Sequence, residues 1–167
     1  MDIFELIKTR RSIRTFTNRP VPDEVIERII EAGTWAPSGM NNQPWKFAVI
    51  KDSELKKAVS GLTHYSKIVT GANVLIAVFL DNSLSYDRTK GCQAIGACLQ
   101  NMLLYIHSAG LGAVWLGEIL KNKDKVLELT GGSKDLELMA VVALGYPAAK
   151  GGKVSRQDLS QTVIFRK

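Results

Sequence analysis

The spacing of apolar positions switches between helical and extended along the chain, which predicts a mixed α and β domain. Asp2 with Glu5 three residues on has the form of a helix start. It predicts a helix from Ile3 to about Thr9–Arg11, with Ile3, Leu6 and Ile7 turned inward. The two prolines of Arg19-Pro20-Val21-Pro22 remove backbone donors and predict a turn. Val25, Ile26, Ile29 and Ile30 form one stripe of a second helix, Asp23 to Gly33. Ala36 to Pro44 has the composition of a loop. Trp45 to Ile50 is expected to be a strand, Ser53 to Ser60 a short helix, and the β-branched run Val74 to Leu80 a buried strand. Arg88 to Ala109 is a long, mostly apolar helix, expected at the centre. Leu111 to Leu116 predicts a third strand and Lys123 to Leu129 a short helix. A fourth strand, Leu138 to Leu144, closes on Gly145-Tyr146-Pro147. From Lys150 a basic tail runs to Thr162-Val163-Ile164-Phe165. An apolar end beyond a polar linker calls for a pairing site, on another subunit's sheet edge or within its own.

The 167 residues suit a single domain, and no internal repeat divides them. A hydrophobic fraction of 46% and a charged fraction of 23% exclude a disordered chain, a fibre or a coiled coil. Apolar runs such as Val74 to Leu80 fall far short of the ~20 residues a membrane span needs. The chain opens with an acid before its apolar residues and a basic pair after them, the reverse of a secretory leader, so a cytoplasmic protein is expected. With 22 basic and 16 acidic residues the net charge is +6, which suits an anionic partner. Nucleic acid is the weaker choice, because no zinc-finger spacing, RNA-binding signature or basic-helix pattern is present. Cys92 and Cys98, if on one helix, sit about 120° apart around it, a poor geometry for a disulfide or a metal pair. His64 and His107 are isolated, so no metal is expected.

Four clusters carry candidate chemistry. Arg10-Arg11-Ser12-Ile13-Arg14 places three guanidiniums and a hydroxyl within five residues, which suits phosphate oxygens. Ser38, Asn41, Asn42 and Gln43 offer groups that both donate and accept, suited to a heterocycle edge, and Gly39 permits close backbone approach. Gly110-Leu111-Gly112-Ala113-Val114-Trp115-Leu116-Gly117-Glu118 follows a helix and opens a strand, the reverse of a dinucleotide fingerprint; its end, Gly117-Glu118, lets a backbone N–H approach a ring. Lys153-Val154-Ser155-Arg156 is either a loose basic tail or a second phosphate clamp.

Together these motifs resemble the FMN-dependent nitroreductase family along essentially the whole chain. The resemblance rests on Arg10-Arg11-Ser12-Ile13-Arg14-Thr15-Phe16, the Ala36–Trp45 loop, Gly110–Gly117 and the Leu144–Pro147 turn, in that order. It implies an α+β fold, an α-β-α sandwich around a mostly antiparallel sheet, built as an intertwined homodimer with FMN at the interface. Arg10, Arg11, Ser12 and Arg14 would hold FMN. Pro37, Ser38, Gly39, Met40, Asn41 and Gln43 would line its ring from the adjoining subunit. Leu116, Gly117 and Glu118 would pass its N5, and Lys153 and Arg156 would hold its phosphate. Residues from about 150 to 167 would cross to the partner. The implied activity is hydride transfer from NADH or NADPH through FMN to a small aromatic acceptor such as a nitroaromatic or quinone, with no catalytic side chain required. An FMN store or sensor, and a dehalogenating or flavin-modifying relative, are the alternatives. The chain departs from the family in its short 82–87 connection, where many members insert helices over the flavin.

Overall fold

The computed structural model describes residues 2–167. Four strands form one sheet in the order β1-β2-β4-β3: β1 (Trp45–Ile50), β2 (Val74–Asp81), β3 (Gly112–Leu116) and β4 (Leu136–Gly145). All three pairings are antiparallel, from Trp45 opposite Leu80 to Gly112 opposite Gly145. Every residue of β2 is buried, since helices cover both faces of the sheet, which explains its unbroken apolar run. Val74, Ile76, Val78 and Leu80 face one cluster; Leu75, Ala77 and Phe79 face the other. A bulge opposite Val78 and Phe79 resets the register, so Leu138 and Ala140 point to opposite faces.

On one face lie α2 (Asp23–Thr34) and the central α5 (Arg88–Ser108). From α5, Ala94, Ile95, Cys98, Leu99, Met102 and Ile106 form the buried stripe. The helices approach closely at Gly33, where an added Cβ would lie 2.8 Å from Met102 Cγ and 2.9 Å from Cys98 Sγ. The other face carries α3 (Ser53–Ser60), α4 (Ser66–Gly71) and α6 (Lys123–Thr130). Asp52 and Asp87 cap α3 and α5 by accepting from Leu55 N at 2.8 Å and Lys90 N at 2.9 Å. The expected sandwich is therefore observed. Among the described residues no helix is long and apolar enough to cross a membrane.

Three local expectations change. In α1 (Ile3–Thr9) no residue is buried, and Asp2 makes no side-chain cap. Ile3 and Phe4 are 63% and 62% exposed and Ile7 48%, because nothing in the same chain covers that side of the helix. The C-terminal Val163-Ile164-Phe165 forms no strand; it follows the short α7 (Leu159–Thr162), with Ile164 fully exposed and Phe165 75% exposed. Pairing within its own subunit is thus not observed. Helix α4 and two 3₁₀ turns, Gly39–Asn41 and Glu118–Asn122, lie where no element was predicted.

Candidate functional site

The arginine cluster is fixed by the edge of the sheet. After α1 the backbone turns extended at Arg10, Ser12 pairs in parallel with Ala113, and Ile13 N donates to Ala113 O at 2.9 Å. Gly112 has no side chain because Ile13 fills that space; a Cβ there would sit 2.7 Å from Ile13 Cβ. The chain leaves β4 and returns along the same route. Phe16 pairs with Pro147, Ala148 N donates to Thr15 O at 3.0 Å, and Arg19 stacks on the Tyr146 ring at 3.9 Å. Gly151 then crosses directly over Arg11, where a Cβ would overlap the arginine's own at 2.2 Å.

This return brings together two clusters that are remote in sequence. Arg10, Arg11, Ser12 and Arg14 face Gly152, Lys153, Val154 and Arg156 across a cleft of about 270 Å³. Its lining contains no acid, and among the described residues no ion pair reaches any of its five cations. Burial, then Arg156 and Arg11, pushes the Arg10 pKa below its ordinary value. Arg11 is partly committed, since its Nη1 donates to Lys8 O at 2.6 Å and Arg10 O at 2.8 Å, closing the end of α1. Like charges gathered without a counterion are a receptor for a compact, multiply charged anion.

The loop after α2 stands apart from this cleft. Met40, Asn41 and Gln43 have φ of 54°, 55° and 47°, left-handed values that cost a non-glycine residue roughly 1 kcal/mol each. The loop is held in that shape by Ser38, whose Oγ accepts from Gln43 N at 3.0 Å, and by Asn42, which donates to Leu84 O at 2.6 Å. Gly39 lies under Tyr86, whose Oη would be 2.5 Å from an added Cβ. Ser38 and Asn42 are thus occupied in building the loop, whereas Pro37, Met40, Asn41 and Gln43 face outward. Asn41 and Gln43 border a depression with Trp35, separate from the cleft that the arginines line. The short 82–87 connection supplies the loop's support through Leu84 and Tyr86.

At the end of β3, Leu116 is buried and Gly117 exposed, with open space around the position of a Cβ. The Glu118 carboxylate does not point to free space. It accepts from Thr63 Oγ1 at 2.6 Å and His64 N at 3.1 Å and pairs with Lys121. The Lys121 and Thr63 bonds hold its pKa down, at about 2. Only the backbone of this segment is available to a ligand.

Sequence reasoning missed Gly151, Gly152 and His107. The glycine pair before Lys153 was the available signal for a close chain crossing. His107, judged isolated, reaches Thr9 Oγ1 with Nε2 at 3.0 Å. Cys92 is half-buried, while burial pushes the Cys98 thiol up to about 12. Among the described residues no group of histidine, cysteine and acidic side chains could hold a metal.

Comparison with known proteins gives a consistent picture. A family model for the nitroreductase family matches residues 7–64 and 60–146. A protein of Methanothermobacter thermautotrophicus named as an NADH dehydrogenase/NAD(P)H nitroreductase is 37% identical over 155 residues, 91% of this chain and 81% of the relative. A Desulfovibrio desulfuricans protein named for the nitroreductases and solved in complex with FMN superposes with a TM-score of 0.95. It is 42% identical, covering 100% of this chain and 98% of the other. The NADPH:FMN oxidoreductase of Vibrio harveyi, complexed with NAD+, gives a TM-score of 0.89 at 26% identity, covering 98% of this chain and 76% of the other.

Proposed function

The chain belongs to the nitroreductase family, and from that premise we propose that it is an FMN-dependent oxidoreductase drawing on NADH or NADPH and reducing flat, electron-poor acceptors such as nitroaromatics and quinones. The observation that carries this reading is the cleft itself. Five cations from the two ends of the chain converge on a volume of about 270 Å³ with no acid among them. That set fits one phosphate monoester, and the lowered Arg10 pKa marks a charge cluster that an anion would relieve. No dinucleotide fingerprint accompanies it, which favours FMN over FAD.

When bound, FMN supplies the hydride chemistry. The protein's part is to bind and to orient. Arg10, Arg14, Lys153 and Arg156 would grip the phosphate, with Ser12 donating beside them and Arg11 shaping the floor. The backbone at Gly117 offers an N–H at an exposed strand end. Pro37, Met40, Asn41 and Gln43, which lie outside the cleft in their own chain, would line the ring from a second subunit, with Ser38 and Gly39 setting the loop's shape. A homodimer of this kind would also cover α1 and the exposed C-terminal segment. A single open face would then serve nicotinamide and acceptor in turn.

The test is a flavin titration joined to turnover. Arg10→Ala and Arg14→Ala should each weaken FMN binding, since a charge-assisted contact contributes ~1.5–3 kcal/mol. Unchanged affinity in the double variant rejects the cleft as the phosphate site. NAD(P)H oxidation by the flavin-loaded protein with an acceptor panel separates a reductase from an FMN store, which would bind flavin without turnover.

A further inference from the structure

We propose that His107 is a proton-linked partner of the phosphate cleft, so that a dianion seated among Arg10, Arg14, Lys153 and Arg156 draws a proton onto its ring and is held more tightly as pH falls. The proposal rests on the cleft as read above and adds a residue outside it.

The geometry is a junction of α1 with α5. His107 occupies the last turn of α5, where unpaired helix carbonyls favour a positive charge. Its Nε2 lies 3.0 Å from Thr9 Oγ1, and Thr9 directly precedes Arg10. The ring and Arg11 line one cavity of about 570 Å³ together with Lys150, and Arg11 also lines the phosphate cleft. The charged groups around it are few. From α1 come Glu5 and Lys8, paired with each other at 2.8 Å, and beyond them Arg10 and Arg11. The returning tail contributes Lys150, and its Arg156 acts on Arg10. The last turn of α5 itself, Tyr105-Ile106-His107-Ser108, brings no other charge, nor do Gly110 and Leu111. No acid lines the cavity.

The ring therefore stands between opposed influences. The helix end favours the imidazolium, whereas burial, Arg10 and Arg11 oppose it and keep its pKa below the ordinary value. A dianion on the arginines cancels their field at the ring, and the helix end then prevails. The bound state has the higher pKa, so the added affinity is full below the pKa of the free state. It is lost as pH rises through that of the bound state. The proton comes from solvent.

Sulfate is the probe, because it stays a dianion throughout the range in which histidine titrates. The full-length protein is freed of flavin, and chloride at equal ionic strength is the control. The chain has two histidines, so ring NMR gives two signals, and His64→Gln assigns them. Saturating sulfate should move the His107 titration to higher pH and leave His64 in place. Sulfate should bind severalfold more tightly at about pH 5.5 than at about pH 8. His107→Gln should remove that difference while keeping the affinity seen at the higher pH. A His107 titration unmoved by bound sulfate, or wild-type pH dependence in His107→Gln, overturns the coupling alone. Sulfate binding that is absent, or indifferent to Arg10→Ala, overturns the cleft reading and the coupling with it.

Discussion

Single side chains in this molecule divide into those that wait for a ligand and those already occupied, and Glu118 is the clearest of the second kind. Its carboxylate joins the turn after β3 to Thr63 and His64, 55 and 54 residues earlier. The folded state holds its pKa at about 2 against an ordinary 4.5. The group therefore contributes stability that is complete above the unfolded value and lost as pH falls from about 4.5 towards about 2. Glu118→Gln should flatten this acid limb in melting curves taken across that window, while an unchanged limb would show that the carboxylate is unimportant there. The arginine cluster was legible in the sequence because like charges packed locally suit an anion, whereas Lys153-Val154-Ser155-Arg156 read equally as a loose tail until the fold placed it opposite. The occupation of Glu118 was not legible, since Thr63 is a neighbour only in space. Nor was the bond at Ser38 legible: the left-handed turn at Met40 and Asn41 brings Gln43 N onto its hydroxyl oxygen.

The long elements that their own chain buries were legible. The stripe of α5 and the unbroken run of β2 announce themselves, because burial on one or both faces dictates the apolar spacing. Helix α1 has an equally apolar pattern, yet Ile3, Phe4 and Ile7 have no cover within the chain. Periodicity reports that a face is to be buried and is silent on what buries it. Helix α4 was missed because a six-residue helix carries too little pattern. The α2–α5 contact offers a direct check on packing. Gly33→Ala gains helix propensity of ~1 kcal/mol but forces Met102 and Cys98 apart, at a cost of ~1–3 kcal/mol. Chemical denaturation should show a net loss of about 1 kcal/mol, and a more stable variant would mean that the interface yields freely.

For the whole molecule, the uncovered α1 face and C-terminal segment are the surfaces that the proposed homodimer would cover with a second copy of the chain. Deleting residues 158–167 should loosen the dimer and lower flavin content together, by light scattering and absorbance; a truncated protein that remains dimeric and fully flavinated would reject this. The steady state is expected to be ping-pong, since one domain with a short 82–87 connection provides one place for two reactants. Double-reciprocal plots at several acceptor concentrations should run parallel, and converging lines would require a ternary complex. The four strands and most of the helices between them were legible in the pattern, whereas their arrangement as a sandwich was an expectation from the family resemblance. The strand order was not legible: β4 lies between β2 and β3, a choice made by long-range pairing.

The crossing of Gly151 over Arg11 has a consequence for synthesis. The cleft is formed by residues 10–14 on one side and 152–156 on the other, so its first half leaves the ribosome well before its second. Strand β3 likewise lacks its partner until β4 has emerged. The first arginines must remain as an open, highly charged arm while most of the domain is being made. An incomplete chain that has paired β1 with β2 still has no grip on the anion. On the proposed site, cofactor capture would have to wait for the 152–156 segment, and chains released before it would be colourless as well as short.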